Sequence, residues 1–287
     1  MKNIMIGTWA WGTGINGSSM IFGKKQNPGI LKEAFEEAVK LGFLHWDTAA
    51  VYGMGTCESF LGTMINEHED IFISTKFAPT KKYRKGALTK SFYESMERLG
   101  RESADLFWIH MPNNLVLNLQ EAIPLIKDGK IKNIGISNVS LEHIQIAESV
   151  LQKEGVKLAA VQNHFSLLRN DQQQIIDYCN DNGMKYYAYM VLEQGALSGK
   201  YSAKNHFPLL SSRNIAFPKS KFVKIENMAD NSSRNSLRGS FSSKPVCHAP
   251  LLASFCSKRS RTAVSPFPLS IYLAMNRLSA SKGAWTA

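Results

Sequence analysis

The run Phe43-Leu44-His45-Trp46-Asp47-Thr48-Ala49-Ala50-Val51-Tyr52-Gly53 opens as a short, largely apolar strand, ends that strand in an acid, and continues into a loop that carries a phenol. Two later stretches have the same grammar. Ile71-Phe72-Ile73-Ser74-Thr75-Lys76 closes on an amine, and Leu106-Phe107-Trp108-Ile109-His110 closes on an imidazole. Strands of a parallel sheet are buried on both faces and read as near-continuous apolar runs, and their carboxyl ends are where such sheets gather reactive side chains.

Outward from these three runs the pattern repeats. Apolar runs at 4–6, 43–46, 71–75, 106–109, 131–136, 158–161 and 185–188 predict seven strands. Stretches of helical period near 29–41, 57–66, 87–99, 118–128, 141–153 and 170–182 separate them. Ser140 with His143, and Asn170 with Asp171, supply capping chemistry at two of the helix starts. Strand alternating with helix is the signature of βα units, and six units followed by a seventh strand fit a (β/α)8 barrel of ordinary length. A doubly wound sheet fits less well, because it would carry a glycine-rich turn and a helix start after its first strand. Gly12, Gly14 and Gly17 match that fingerprint only loosely, and Ser18-Ser19-Met20 reads as continuing loop, so these glycines are read as turn formers.

A chain of 287 residues with 44% hydrophobic content holds one large barrel or two small domains, so size alone does not choose. Cys57, Cys179, Cys247 and Cys256 are far apart and form no C-x-x-C pair, which argues against a disulfide framework and against a zinc site. The expectation is a cytoplasmic protein without a metal. No basic segment leads into an apolar run at the start, and no stretch of about 20 apolar residues occurs, so neither secretion nor a membrane partner is expected. The net charge of +11 is concentrated late: from Lys221 onward there are ten basic residues against Glu226 and Asp230. That basic stretch lacks a binding motif and regular aromatic interleaving, so no nucleic-acid partner is expected.

The three strand ends and their loop combine into one chemistry. A tyrosine has an ordinary pKa of about 10, too high for proton donation near neutrality unless a nearby cation stabilises its phenolate. Lys76 supplies that cation for Tyr52, Asp47 pairs with Lys76, and His110 hydrogen-bonds a carbonyl oxygen or assists proton delivery. Singly, Asp47 reads as a turn residue, Lys76 as a solvated charge, His110 as a core histidine and Tyr52 as a loop aromatic. Their arrival at consecutive strand ends outweighs those readings. Hydride comes from no side chain and requires a cofactor.

Asp47-Thr48-Ala49…Tyr52-Gly53, with strand-terminal Lys76 and His110, resembles the catalytic tetrad of the aldo-keto reductases in that family's chain order. Gly7-Thr8-Trp9, Gly135-Ile136-Ser137-Asn138-Val139 and Val161-Gln162-Asn163 are similar to further strand ends of the family. Gly195-Ala196-Leu197-Ser198-Gly199-Lys200-Tyr201 is similar to its glycine-rich segment, although Met190 and Val191 stand where members usually have Ser-Pro. The resemblance implies reduction of a small-molecule aldehyde or ketone to an alcohol by NADPH, with Tyr52 as proton donor. It implies cofactor contacts from Thr8, Trp9, Asp47, Ser137, Asn138, Gln162 and Tyr189, the last stacking on the nicotinamide. Gln194, Gly195 and Leu197 would serve the cofactor pyrophosphate through backbone N–H groups, and Trp9, Trp11, Tyr52 and His110 would line the substrate mouth. NADPH rather than NADH rests on the resemblance alone, Glu193 is left without a role, and the oligomeric state stays open.

The resemblance covers residues 1–225. Residues 226–287 form a basic tail rich in Ser and Arg, acidic residues end at Asp230, and the apolar pieces at 249–255 and 266–275 lack the glycine and charge pattern of an eighth βα unit. The expected barrel is therefore incomplete at its C-terminus, with unpaired edges on its first and seventh strands. A displaced reading frame, a lineage-specific tail, and a divergent helix and strand all account for the change. Two functional alternatives follow: a non-catalytic, cofactor-binding interaction protein, or a defective product with little activity.

Overall fold

Apolar side chains at alternate positions of a strand face opposite sides, and the fourth strand shows the consequence for the whole architecture. Leu106 and Trp108 face the barrel interior beside Met5, Ala160 and Tyr187, while Phe107 and Ile109 join the outer layer between strands and helices. The computed structural model describes residues 4–22, 26–207, 211–237 and 270–273. Strands β1 (Ile4–Gly7), β2 (His45–Asp47), β3 (Phe72–Phe77), β4 (Leu106–Ile109), β5 (Ile134–Ser137), β6 (Leu158–His164) and β7 (Lys185–Tyr189) pair side by side in chain order, all parallel. Gly135 lets β4 and β5 approach, since a Cβ there would lie 2.4 Å from the Trp108 ring.

The outer layer comprises α2 (Pro28–Lys40), α3 (Thr56–Ile65), α4 (Ala87–Leu99), α5 (Leu115–Lys127), α6 (Leu141–Gln152) and α7 (Gln173–Asp181), after a single turn α1 (Ser18–Phe22). Each of the six presents an apolar face inward, for example Leu88, Phe92, Met96 and Leu99 of α4. Local chemistry fixes several starts. Asn27 accepts a hydrogen bond from the Gly29 N–H ahead of α2, with Pro28 at its first position. Ser140 and His143 form a reciprocal capping box at α6, as their spacing suggests.

Three expectations need correction. The segment at Ser18 is not loop but α1, because Gly17 and Ser18 donate to the carbonyls of Gly14 and Gly12 and so wind the chain into a turn that buries Phe22. Helix α7 begins at Gln173, not at 170, because Ser166 and Arg169 close a turn upstream and Gln172 occupies the cap without a side-chain capping bond. The edges of β1 and β7 are paired: β8 (Ser270–Leu273), within the apolar piece at 266–275, runs antiparallel to both and closes the barrel. A parallel eighth strand is absent among the described residues. Helices α8 (Arg213–Ala216) and α9 (Lys219–Leu237) follow β7, and α9 continues through the 225/226 boundary. The piece at 249–255 lies outside the described residues. Among those described, no helix is long and apolar enough to cross a membrane.

Candidate active site

Parallel registry brings the carboxyl ends of β2 and β3 side by side, with Asp47 opposite Ser74 and one residue pair separating it from Lys76. Lys76 donates to the Asp47 carboxylate and to the Thr48 carbonyl oxygen at 2.8 Å, and Ser74 donates its hydroxyl to the other Asp47 oxygen. Asp47 and Lys76 are wholly buried. Burial pushes the Lys76 amine below the usual lysine range, and the Asp47 carboxylate beside it works against that shift by favouring the ammonium.

Tyr52 starts a tight turn, Tyr52–Gly55, whose later residues sit in left-handed backbone at Gly53, Met54 and Gly55. Asn16 anchors that turn, donating to the Val51 carbonyl at 2.9 Å and accepting from the Gly53 N–H at 3.1 Å through its own carbonyl. The Tyr52 ring stacks on Trp9 with centroids 5.9 Å apart and meets the His110 ring edge-on at 5.8 Å. Lys76 Nζ lies 5.5 Å from the Tyr52 ring centroid. His110 is pushed down to about 3, first by burial and then by the Lys76 charge, so its imidazole is neutral near pH 7. The acid, the amine, the imidazole and the phenol thus meet in one cluster.

A second group completes the wall. Asn138, in left-handed backbone just after β5, donates to the His110 carbonyl at 2.8 Å and to Ser137 Oγ at 3.2 Å, and accepts from the Tyr189 hydroxyl at 2.5 Å. Gln162 lies 3.5 Å from Asp47, and both Ser137 and Gln162 are buried. Ser137 and Gln162 offer a hydroxyl and an amide beside the cluster, a donor set that fits a nicotinamide carboxamide. Asn138 acts at least as much as a tie between β4, β5 and β7.

Other expected contacts are placed differently. Thr8 is buried, and both its N–H and its hydroxyl bond the Asp47 carbonyl, which ties β1 to the strand that carries the acid. Trp11 is set apart from Trp9 and from Tyr52: it packs against Trp46 and Phe60 in the core with 5% exposure, because the Thr8–Trp11 turn reverses the chain direction between the two indoles. Around Gly195, the N–H groups of Gly195, Ala196, Leu197 and Ser198 close turns within their own loop.

Sequence reasoning missed a cluster behind this loop. Glu193, 4% exposed, accepts from Ser166 Oγ and lies 2.9 Å from His164 Nε2, and Arg169 approaches His164 Nδ1 at 3.2 Å. Arg213, 5% exposed, donates to the Gln194 carbonyl at 3.0 Å and to the Phe22 carbonyl at 3.1 Å, with Phe207 beneath its guanidinium at 4.3 Å. The available signal was an acid, Glu193, inside an otherwise apolar strand exit.

Comparison with known proteins identifies the fold and the family. A chloroplastic pyridoxal reductase of Arabidopsis thaliana is 28% identical over 218 residues, covering 69% of this chain and 58% of that protein. The glyoxal reductase of Bacillus subtilis is 32% identical over 182 residues, covering 61% and 62%. The chain therefore spans about three fifths of the length of these two curated relatives. The crystal structure of the thermostable aldo-keto reductase Tm1743 with the inhibitor epalrestat superposes with a TM-score of 0.60 at 27% identity, covering 73% of this chain and 78% of that one. The aldo/keto reductase family as a whole matches residues 3–235. With the barrel, the buried Asp47–Lys76 pair and this match in agreement, the chain belongs to the aldo/keto reductase family, a family of NAD(P)H-dependent oxidoreductases.

Proposed function

We propose that the protein reduces an aldehyde or ketone to an alcohol with NADPH, Tyr52 donating the proton. The observation that carries this reading is the buried Asp47–Lys76 pair beside the Tyr52 and His110 rings. NADPH, when bound, supplies the hydride that no side chain offers. The residues of this chain do the rest. His110, neutral, hydrogen-bonds the carbonyl oxygen and orients it without adding charge. Tyr52 transfers its hydroxyl proton to that oxygen as negative charge develops there, and the ammonium of Lys76 stabilises the phenolate left behind. Asp47 fixes the ammonium in place and offsets the cost of burying it. Solvent then returns a proton to Tyr52.

Ser137 and Gln162 would hold the carboxamide of the cofactor, with Asn138 setting the wall and Tyr189 stacking on the ring. Trp9 screens the reacting carbonyl from water through its stack on Tyr52. The loop from Met190 to Gly199 would take the phosphate end by exchanging some of its turn hydrogen bonds. We read residues 1–225 as the aldo-keto reductase-like part that carries the site, and the basic tail, which adds β8 to the barrel, as having no nucleic-acid or membrane partner, in a cytoplasmic setting.

The test is a titration of the purified protein with NADPH, followed by quenching of its five tryptophans, with circular dichroism on the same sample and turnover on a panel of aldehydes and ketones. Saturable quenching and turnover that Tyr52→Phe abolishes support the reading. Saturable quenching with no turnover on any substrate moves the assignment to a cofactor-binding protein.

A further inference from the structure

The loop that leaves β7 holds three non-glycine residues in left-handed backbone: Met190 at φ 58°, Glu193 at φ 48° and Gln194 at φ 53°. Such conformations cost of order 1–3 kcal/mol each and persist only where surrounding contacts over-determine them. Two sets of contacts do so here, from opposite sides. Arg213 grips the Gln194 carbonyl and joins it to the Phe22 carbonyl beyond β1. Glu193 reaches the other way, into the end of β6.

The hydrogen bonds around Glu193 have a single consistent direction. Arginine can only donate, so Arg169 at 3.2 Å makes His164 Nδ1 an acceptor. The proton of the imidazole then sits on Nε2, where it is donated to Glu193 at 2.9 Å. Ser166 donates its hydroxyl to the same carboxylate and in turn accepts from the Leu168 N–H at 3.1 Å. Burial, the largest single effect, raises the Glu193 carboxyl, but the hydrogen bonds from His164 and Ser166 and the nearby positive charge, Lys221 included, together hold the group below the usual glutamate range. The face of His164 carries a further load, since its ring stacks on Tyr189 with centroids 5.5 Å apart and nearly parallel planes, 29°. Tyr189 in turn bonds Asn138. One imidazole therefore braces the loop on one side and the Tyr189 shelf on the other.

We infer that Glu193 is the positioning residue of the cofactor loop, latching residues 190–194 onto His164 and Ser166 so that the turns at 195–198, whose N–H groups exchange partners for the phosphate end of the dinucleotide, start from a fixed anchor. His164 is the shared brace between that loop and the shelf for the nicotinamide. The inference rests on the cofactor reading above. Its consequence is a division of labour by ligand: losing Glu193 loosens the phosphate loop and spares the nicotinamide shelf, whereas losing His164 loosens both.

The experiment compares binding of NADPH and of reduced nicotinamide mononucleotide, which lacks the adenosine, its bridging phosphate and its 2′-phosphate, by tryptophan quenching. Glu193→Ala is expected to weaken NADPH roughly tenfold or more, in line with loss of charge-assisted hydrogen bonds, and to leave the mononucleotide within about twofold. Glu193→Gln, which keeps an acceptor for Ser166 and His164, recovers most of the NADPH affinity, and His164→Ala weakens both ligands. Ser166→Ala removes one bond only and shifts NADPH in the same direction by less, which keeps the test open if Glu193→Ala fails to fold. Equal losses for both ligands in Glu193→Ala, or NADPH affinity within twofold of the parent in both Glu193→Ala and Ser166→Ala, overturns the inference. Absence of NADPH binding by the parent protein overturns the cofactor reading and the inference together.

Discussion

Lys76 donates its ammonium proton to the Asp47 carboxylate at a depth where neither side chain has any solvent exposure. Removing one partner of such a pair leaves an uncompensated buried charge, at a cost of roughly 3–5 kcal/mol, while replacing both together costs far less. Lys76→Met is therefore expected to lower the urea midpoint sharply, and adding Asp47→Asn to recover much of that stability. Activity should follow a different course: the double variant stays inactive, because the cation beside Tyr52 is gone. Recovery of turnover along with stability would separate Lys76 from the proton chemistry. Denaturation curves and initial rates on the same preparations decide it.

Tyr52→Phe keeps the ring that stacks on Trp9 and removes only the hydroxyl. General acid catalysis by a placed side chain is worth roughly 10²–10⁴-fold. Turnover of an aldehyde should fall by that factor, while NADPH affinity and the thermal midpoint stay close to those of the parent. A loss below about tenfold would mean that the proton arrives from elsewhere, with His110 the neighbour to examine.

Buried His110 gives a pH signature in stability. Its folded value of about 3 lies below the ordinary 6.5, so the folded chain refuses a proton that the unfolded chain accepts. The stability it contributes is full above about pH 6.5 and is lost as pH falls towards 3, at about 1.4 kcal/mol per pH unit for one proton. His45, also lowered, first by burial, adds a parallel loss. Urea midpoints at pH 7, 6 and 5 should fall less steeply for His110→Asn than for the parent. Identical slopes would place the His110 imidazole in water.

What the sequence made legible follows from how locally each feature is determined. The strands and helices were readable because burial on two faces, or on one stripe, writes a period that a window of residues carries, as in residues 106–109 and 87–99. Asp47, Lys76, Tyr52 and His110 were readable because strand ends project into one space in a barrel, so order along the chain gives proximity. The antiparallel β8 was not readable, since four residues of strand carry no period of their own and their pairing is set by the gap between β1 and β7. Glu193 with His164, and Arg213 with Gln194, were hidden for another reason: each joins loops remote in sequence, and no spacing rule links an acid after one strand to an imidazole at the end of another.

Gly62 sets the distance between α3 and α4, and here two effects of opposite sign compete. Replacing glycine by alanine inside a helix ordinarily stabilises it by about 1 kcal/mol through backbone entropy. At this position, however, a Cβ would lie 2.3 Å from the Arg98 carbonyl oxygen and 3.0 Å from the Leu99 Cα, both backbone atoms that cannot rotate aside. The helices must then part. Parting them pulls Arg98 away from Glu58, which is fully buried and held by that guanidinium at 2.7 Å, and lifts Leu99 out of the core. Overpacking of this kind costs roughly 1–3 kcal/mol, and the strained Arg98–Glu58 pair adds to it, so the steric effect wins. Gly62→Ala should therefore lower the urea midpoint, whereas the helix-propensity argument alone raises it. A midpoint equal to or above that of the parent would show that α3 and α4 are less closely packed than their backbones indicate.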